Sequence, residues 1–251
     1  VVDIVVKPSG PVRVGSDTDS DIRIGLGGAG ANTAIHLARQ GVPTRFIGAV
    51  GDDALGRIVE AALDEPNLTA AVEKMPAAPT GAIAIFVDEC GQRTMFPQRG
   101  ANKPVDAELV ARQWPRRLSA LFVSGYALFE ETTREAARLA MARARAAGAP
   151  IALDPASYAN ILDVGVERFL EWCRPAEILL PNRDEAAILS GGATTPEEAL
   201  KRLGRVFPTV VVKVDRDGAV AKAGGETVRM PPPDVPVVDT TGAGDAFNAG
   251  F

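Results

Sequence analysis

From residue 117 onward the chain alternates short apolar runs with helical periods, and few folds accept that order. RLSALFVSG, PIALDP, AEILLPN and TVVVKV read as strands. Between them, EETTREAARLAMARARAAG (130–148), ILDVGVERFLEWC, RDEAAILSG and TPEEALKRLGRVF carry apolar residues three and four apart and read as helices. Gly148 ends the first helix, Gly165 leaves the second mostly helical, and Thr195 or Thr194 is placed to cap the last. Strand, crossover helix and parallel strand join in a right-handed sense. Serial repetition therefore predicts a mainly parallel central sheet with helices on both faces. In such sheets ligands sit beyond the carboxyl ends of the strands, so functional residues are expected just after them.

The N-terminal part is organised differently. VVDIVVK (1–7) reads as a strand, and short β-like pieces such as IRIGL follow up to Leu26. GGAGANTAIHLARQG (27–41) is a Gly-rich turn feeding a helix that Gly41 stops. TRFIGAVG (44–51) is a buried strand, and DALGRIVEAAL (53–63) a helix. In TGAIAIFVDECGQRTMFPQ (80–98) an alternating strand, an acidic Gly turn and a second strand make a β-hairpin. The hairpin is expected to stand off the main sheet and to pair with strands from 1–26 as a small lid. The fold class is thus α/β: a three-layer α/β/α domain spanning 1–251, with a β-sheet lid built from about 1–26 and 80–100.

Composition narrows the function classes. The chain has 251 residues, 46% of them hydrophobic, enough for one large α/β domain or one with a small appendage. With 27 basic and 32 acidic side chains the net charge is -5, so no global field favours nucleic acid or an anionic membrane. A bound polyanion must be held by local backbone groups instead. Cys90 and Cys173 lack any metal-like spacing and fit a reducing, cytoplasmic compartment. His36 is the single histidine and falls mid-helix, so mechanisms needing two are excluded and an ordinary helix residue is expected. No apolar run reaches the ~18 residues of a membrane span. The chain opens on a strand without an initiator Met and stops inside the helix begun near Gly242, so both ends are expected to be trimmed.

VPVVDTTGAGDAFNAGF carries the strongest chemical signal. Small residues at Gly242, Ala243 and Gly244 let backbone N–H groups approach an anion, and a helix N-terminus adds about half a positive charge. Asp245, immediately beyond, can accept a proton from a hydroxyl attacking phosphorus. A merely capped helix start is the plain alternative, but it does not explain both threonines, both glycines and the aspartate together. PNRDE (181–185) reads nearly as well as a cap, with Asn182 at the N-cap and Glu185 closing a capping box, as it does as a metal organiser. Asn32 alone is an ordinary helix residue, and Asp3 alone a solvated strand residue.

Taken together, these stretches resemble one family. DTTGAGDAF resembles the second signature of the ribokinase-like, or pfkB, carbohydrate kinases, GGAGANTAIHLARQG their first, and PNRDE their Asn-x-x-Glu motif, in the family's order. The resemblance covers essentially the whole chain. It implies Asp245 as general base and the amides of Gly242, Ala243 and Gly244 as an anion hole. Asp3, Gly27, Gly28, Asn32 and Asn102 would contact the sugar. Asn182 and Glu185 would organise Mg²⁺ and the ATP phosphates through water, and Asp239 and Thr241 would hold a monovalent cation such as K⁺.

Departures from the family's pattern restrict the substrate. Asp215 stands where relatives show a Gly, although Gly218 is retained, and Lys213 is either a nucleotide contact or a strand-end cation. Val1 and Tyr126 replace polar residues of ribokinase proper, which disfavours ribose itself. Arg99 either meets an acidic or phosphorylated substrate group or is a solvated lid residue, with equal weight. The family continues with a helix pair that closes the adenine pocket, so a C-terminally truncated chain is expected. The reading is an ATP-dependent kinase acting on a hydroxymethyl group of a sugar or sugar-like substrate. A nucleoside kinase of the adenosine or pseudouridine type and a non-catalytic sugar-binding module are the rivals. Unpaired lid edges also suit a homodimer.

Overall fold

The N-terminal run VDIVVKP forms β1 (Val2–Pro8), paired antiparallel with β2 (Ser20–Leu26). Then come α1 (Ala29–Arg39), β3 (Thr44–Gly51), α2 (Ala54–Ala62) and β4 (Leu68–Met75). β4 runs parallel to β3 in a separate two-stranded sheet. It escapes sequence reading because LTAAVEKM buries only Ala71 and shows no alternation. β5 (Ala82–Val87) and β6 (Arg93–Gln98) form the hairpin. β5 lies parallel beside β1, giving the order β2-β1-β5-β6, so the hairpin and the strands of 1–26 share one sheet.

In the computed structural model, which describes residues 1–236 and 240–251, these elements make up one compact unit, Val1–Val105. Val2, Ala31, Ile35, Val50, Val59 and Leu63 form its core and lock β1, α1, β3 and α2 together. Asp53 ties this unit internally. Its carboxylate caps α2 through the Gly56 N–H (2.7 Å) and also takes the N–H and the hydroxyl of Thr80, each at 2.7 Å. The junction before β5 is thereby fixed to the start of α2, and these donors hold the Asp53 carboxyl below its ordinary value.

The second unit, Asp106–Phe251, carries the predicted alternation. In chain order it contains α3 (Ala107–Gln113), β7 (Leu121–Ser124), α4 (Tyr126–Phe129), α5 (Glu131–Ala146), β8 (Ile151–Asp154), α6 (Tyr158–Val164), α7 (Val166–Cys173), β9 (Ile178–Leu179), α8 (Arg183–Leu189), α9 (Pro196–Leu203), β10 (Thr209–Lys213), β11 (Ala219–Ala223), β12 (Glu226–Met230) and α10 (Ala243–Gly250). One six-stranded sheet runs β12-β11-β10-β9-β8-β7, parallel from β7 to β10 and antiparallel beyond. The core holds Leu153, Ile161, Phe169, Leu179, Leu200, Phe207 and Val212. Burying each such side chain stabilises the fold by roughly 1.5–3 kcal/mol. The ILDVGVERFLEWC run divides into α6 and α7 because Gly165 sits at φ 90°, a conformation that ends one helix and starts the next. Thr195 caps α9. Among the described residues no helix is long and apolar enough to cross a membrane.

Asp215 follows β10 at φ 52°, in the left-handed region that favours glycine. The residue that departs from the resembling family's pattern thus occupies a glycine conformation. Asp215→Gly is expected to raise stability by about 0.5–1 kcal/mol. Urea denaturation reads the change, and a loss of stability would show that Asp215 makes compensating bonds. Gly218 has a backbone reason of its own: φ is 85°, and a Cβ there would lie 2.0 Å from the Met230 carbonyl oxygen.

Candidate functional site

The carboxyl ends of β8 and β10 meet α10 (Ala243–Gly250) around one buried polar network. β8 ends at Asp154. Its Oδ1 accepts the Ala156 N–H at 2.8 Å, and Ala156 is held at φ 75°. Its Oδ2 accepts Lys213 Nζ at 2.5 Å and Asn248 Nδ2 at 2.7 Å. Lys213 Nζ also donates to Asn248 Oδ1 at 3.1 Å. The Lys213 and Asp154 side chains are only 13% and 9% exposed. Neither Asp154 nor Asn248 stands out in the sequence. The one available signal was position, Asp154 being the last residue of a strand in a sheet whose carboxyl ends bind ligands.

Asn182 and Glu185 adjoin this network. Asn182 pairs with Lys213 as an isolated parallel bridge. Asn182 Oδ1 accepts the Glu185 N–H at 2.8 Å, and Glu185 Oε2 accepts the Asn182 N–H at 2.9 Å. The capping box is therefore complete. Yet Glu185 is 2% exposed, an unusual place for a mere cap. Burial pushes its carboxyl up to about 7, and the charge of Asp154 adds to the rise. Among the described residues no three His, Cys, Asp or Glu side chains gather as a metal cage. One buried carboxylate with an amide beside it fits a hydrated Mg²⁺ brought in on phosphates, which asks for one or two protein carboxylates and keeps its waters.

The glycine-rich turn opens α10. Gly242 is the N-cap in the left-handed conformation, φ 72°. Ala243 N–H donates back to the Thr240 carbonyl at 3.2 Å. The Ala243 amide thus takes part in the turn that opens the helix. The first-turn amides of a helix otherwise lack acceptors within it. Gly244 carries no side chain, and a Cβ there would stand 3.8 Å from Lys213 Nζ, so the turn and the ammonium are neighbours. Asp245 lies half-buried in the first turn of α10. Thr241 is exposed. Asp239 falls outside the described residues.

The unit Val1–Val105 holds a separate constellation. A Cβ on Gly27 would lie 1.9 Å from Asp3 Oδ1, so only glycine lets the first turn of that motif approach the β1 carboxylate. Asp3 Oδ1 is buried and accepts no hydrogen bond among the described residues. Burial raises the Asp3 pKa. Gly28 sits at φ 95° and accepts the Asn32 N–H through its carbonyl at 3.0 Å. Asn102 donates its Nδ2 to the half-buried Arg99's carbonyl at 3.1 Å, and both crowd Gly81. A hollow of about 330 Å³ in the same unit is lined by Leu26, Asn32, His36, Arg39 and Glu65, with Arg39 and Glu65 ion-paired. It shares only Asn32 with the expected site.

Tyr126 belongs to the second unit, at the start of α4, 37% exposed and edge-on to Phe129 at 6.3 Å. The candidate residues therefore fall into two groups. Asp3, Gly27, Gly28, Asn32, Arg99 and Asn102 lie in the first unit. Tyr126, Asn182, Glu185, Lys213, Gly218 and Gly242–Asp245 lie in the second.

Comparison with known proteins agrees with this architecture. Residues 2–251 match the model of the pfkB family carbohydrate kinases. The chain is 31% identical to a ribokinase of Schizosaccharomyces pombe over 98% of its own length and 78% of the relative's. It is 31% identical to a fructokinase of Klebsiella pneumoniae over 90% of this chain and 75% of that protein. Among solved structures, the adenosine kinase of Sinorhizobium meliloti superposes with a TM-score of 0.83 at 26% identity, covering 100% of this chain and 83% of that one.

Proposed function

The chain belongs to the pfkB family of carbohydrate kinases, and on that premise we propose that it transfers the γ-phosphoryl group of ATP to a hydroxymethyl oxygen of a sugar or sugar-like substrate. The observation that carries this reading is the grouping of Lys213, Glu185 and the Gly242–Gly244 turn at the carboxyl ends of the parallel strands. A cation, a small-residue helix start and a carboxylate in the first helical turn are the parts phosphoryl transfer needs. Asp245 takes the proton as the hydroxyl oxygen attacks in line, and the turn amides steady the charge spread over the phosphoryl oxygens. Asn182 and Glu185 would hold Mg²⁺ through water, and the ion would supply charge to neutralise the ATP phosphates. Thr241, with Asp239, would hold a monovalent cation such as K⁺.

Sugar recognition falls to Asp3, Gly27, Gly28, Asn32 and Asn102. The buried, unpartnered Asp3 oxygen supports this, because a sugar hydroxyl would remove a penalty of ~1–3 kcal/mol. Arg99 favours a substrate that also carries an acidic or phosphorylated group. Exposed Ile22 and Ile24 on β2 and Met95 and Phe96 on β6 line the edge strands and support pairing of two copies through this sheet.

The test is coupled ADP release over pentoses, hexoses, ketoses, aldonic acids and nucleosides. Turnover with one sugar class is expected, and no sugar-dependent turnover with any would defeat the reading. A nucleoside kinase is the second reading, favoured by the accessible Tyr126 ring as a stacking surface; a preference for nucleosides in the same panel selects it. Calorimetric sugar binding with no ATP binding would select the non-catalytic module.

A further inference from the structure

We propose that Asn248, held by Asp154 and Lys213, is a positioning residue that sets the roll of α10 and thereby aims Asp245. The inference rests on the reading of Asp245 as the base. α10 has eight residues, and a helix so short is marginal without tertiary anchors. Among the described residues no side chain caps its N-terminus, where Gly242 supplies backbone. Two contacts hold its later residues. Phe247 packs against the cluster of Leu180, Val211 and Ala219. That contact is apolar and permits rotation.

Asn248 supplies direction. It is 8% exposed, and its amide donates to a carboxylate and accepts from an ammonium. Flipping the amide would set NH₂ against NH₃⁺ and C=O against COO⁻, so one orientation is enforced. Residues three apart in a helix share a face, so fixing Asn248 fixes the direction in which Asp245 leaves the preceding turn. The anchor itself is rigid. Asp154 Oδ1 is occupied by the Ala156 N–H, and Ala156 is kept at φ 75°, where a non-glycine residue persists only if its surroundings impose it. Lys213 balances the Asp154 charge, which allows a buried carboxylate to serve as the anchor. Lys213 thus also helps hold the helix that carries the base.

The test is Asn248→Leu, which keeps the volume and the buried ion pair but removes the amide. Expected are a kcat ~10–100-fold lower, unchanged KM values for sugar and ATP, and faster hydrogen exchange over 243–250. The pair Asp154→Asn with Asn248→Asp exchanges carboxylate and amide and should recover much of the kcat that Asp154→Asn alone loses. A merely structural clamp would lower the melting temperature and leave the kcat of the folded protein intact. Normal kcat in Asn248→Leu, or unchanged exchange over 243–250, overturns the proposal. An Asp245→Asn control separates the two readings: full activity there overturns the base assignment, whereas normal kcat in Asn248→Leu overturns only the positioning role.

Discussion

Asp245→Asn is expected to lower kcat by about 10²–10⁴-fold while leaving sugar and ATP binding nearly unchanged. The side chain lies half-buried in the first turn of α10, next to the Gly242–Gly244 turn. Asparagine keeps its shape and can still accept a hydrogen bond, but it cannot take the proton that the attacking hydroxyl must lose. Removing a negative charge near the ATP phosphates also lessens repulsion, so nucleotide affinity has no reason to fall. Steady-state kinetics with calorimetry on the same variant separates the two effects. A parallel loss of binding and rate would point to a collapsed helix start instead.

Glu185→Gln should make the protein more stable at pH 8 and less active. The folded protein raises this carboxyl from 4.5 to about 7. Below 4.5 both folded and unfolded chains hold the proton, and the group costs nothing. Between 4.5 and 7 the unfolded chain releases it while the folded chain keeps it, so stability falls as pH rises. Above 7 the penalty is constant at about 3 kcal/mol. Glutamine is neutral and can still accept the Asn182 N–H, so the capping box survives. Expected at pH 8 is a gain of roughly 2–3 kcal/mol, vanishing below pH 4.5, together with reduced turnover on Mg²⁺-ATP. Denaturant titrations at several pH values read it. A variant less stable than the wild type at pH 8 would mean that Glu185 is ionised and serves only as a cap.

Burial of a glutamate at a helix cap, beside Asp154 and Lys213, favours a role beyond capping. A solvated glutamate would close the same capping box without the stability penalty. In the sequence, cap and metal organiser stand almost level for Asn182 and Glu185, because the two uses share one motif. Hydrogen bonds reveal the cap; burial beside Asp154 and Lys213 supplies the reason to look further.

Contiguous motifs were legible from residues alone. The turn at Gly242–Gly244, the Gly27–Gly28 turn and the alternation of the second unit depend on local spacing, which a sequence displays. What stayed hidden depends on contacts distant in sequence. Asp154 lies 59 residues from Lys213 and 94 from Asn248, and they meet only through the packing of α10 on the sheet that carries β8 and β10. For Lys213 the sequence leaves nucleotide contact and strand-end cation side by side, because its partners Asp154 and Asn248 are distant along the chain. β4 was missed because its burial follows no period, and the split between α6 and α7 because a mid-helix glycine can be tolerated or can break. Asp215 shows the converse. The departure was visible in the sequence, but its backbone meaning, a glycine conformation borne by an aspartate, required φ.

The most direct measurement is ³¹P NMR of the product formed from ATP and the substrate that supports ADP release. The account predicts one phosphate monoester formed per ADP, its phosphorus resonance split into a triplet by two methylene protons, as transfer to a hydroxymethyl oxygen requires. Inorganic phosphate without an ester, or a doublet from a ring CH–O–P, would contradict it.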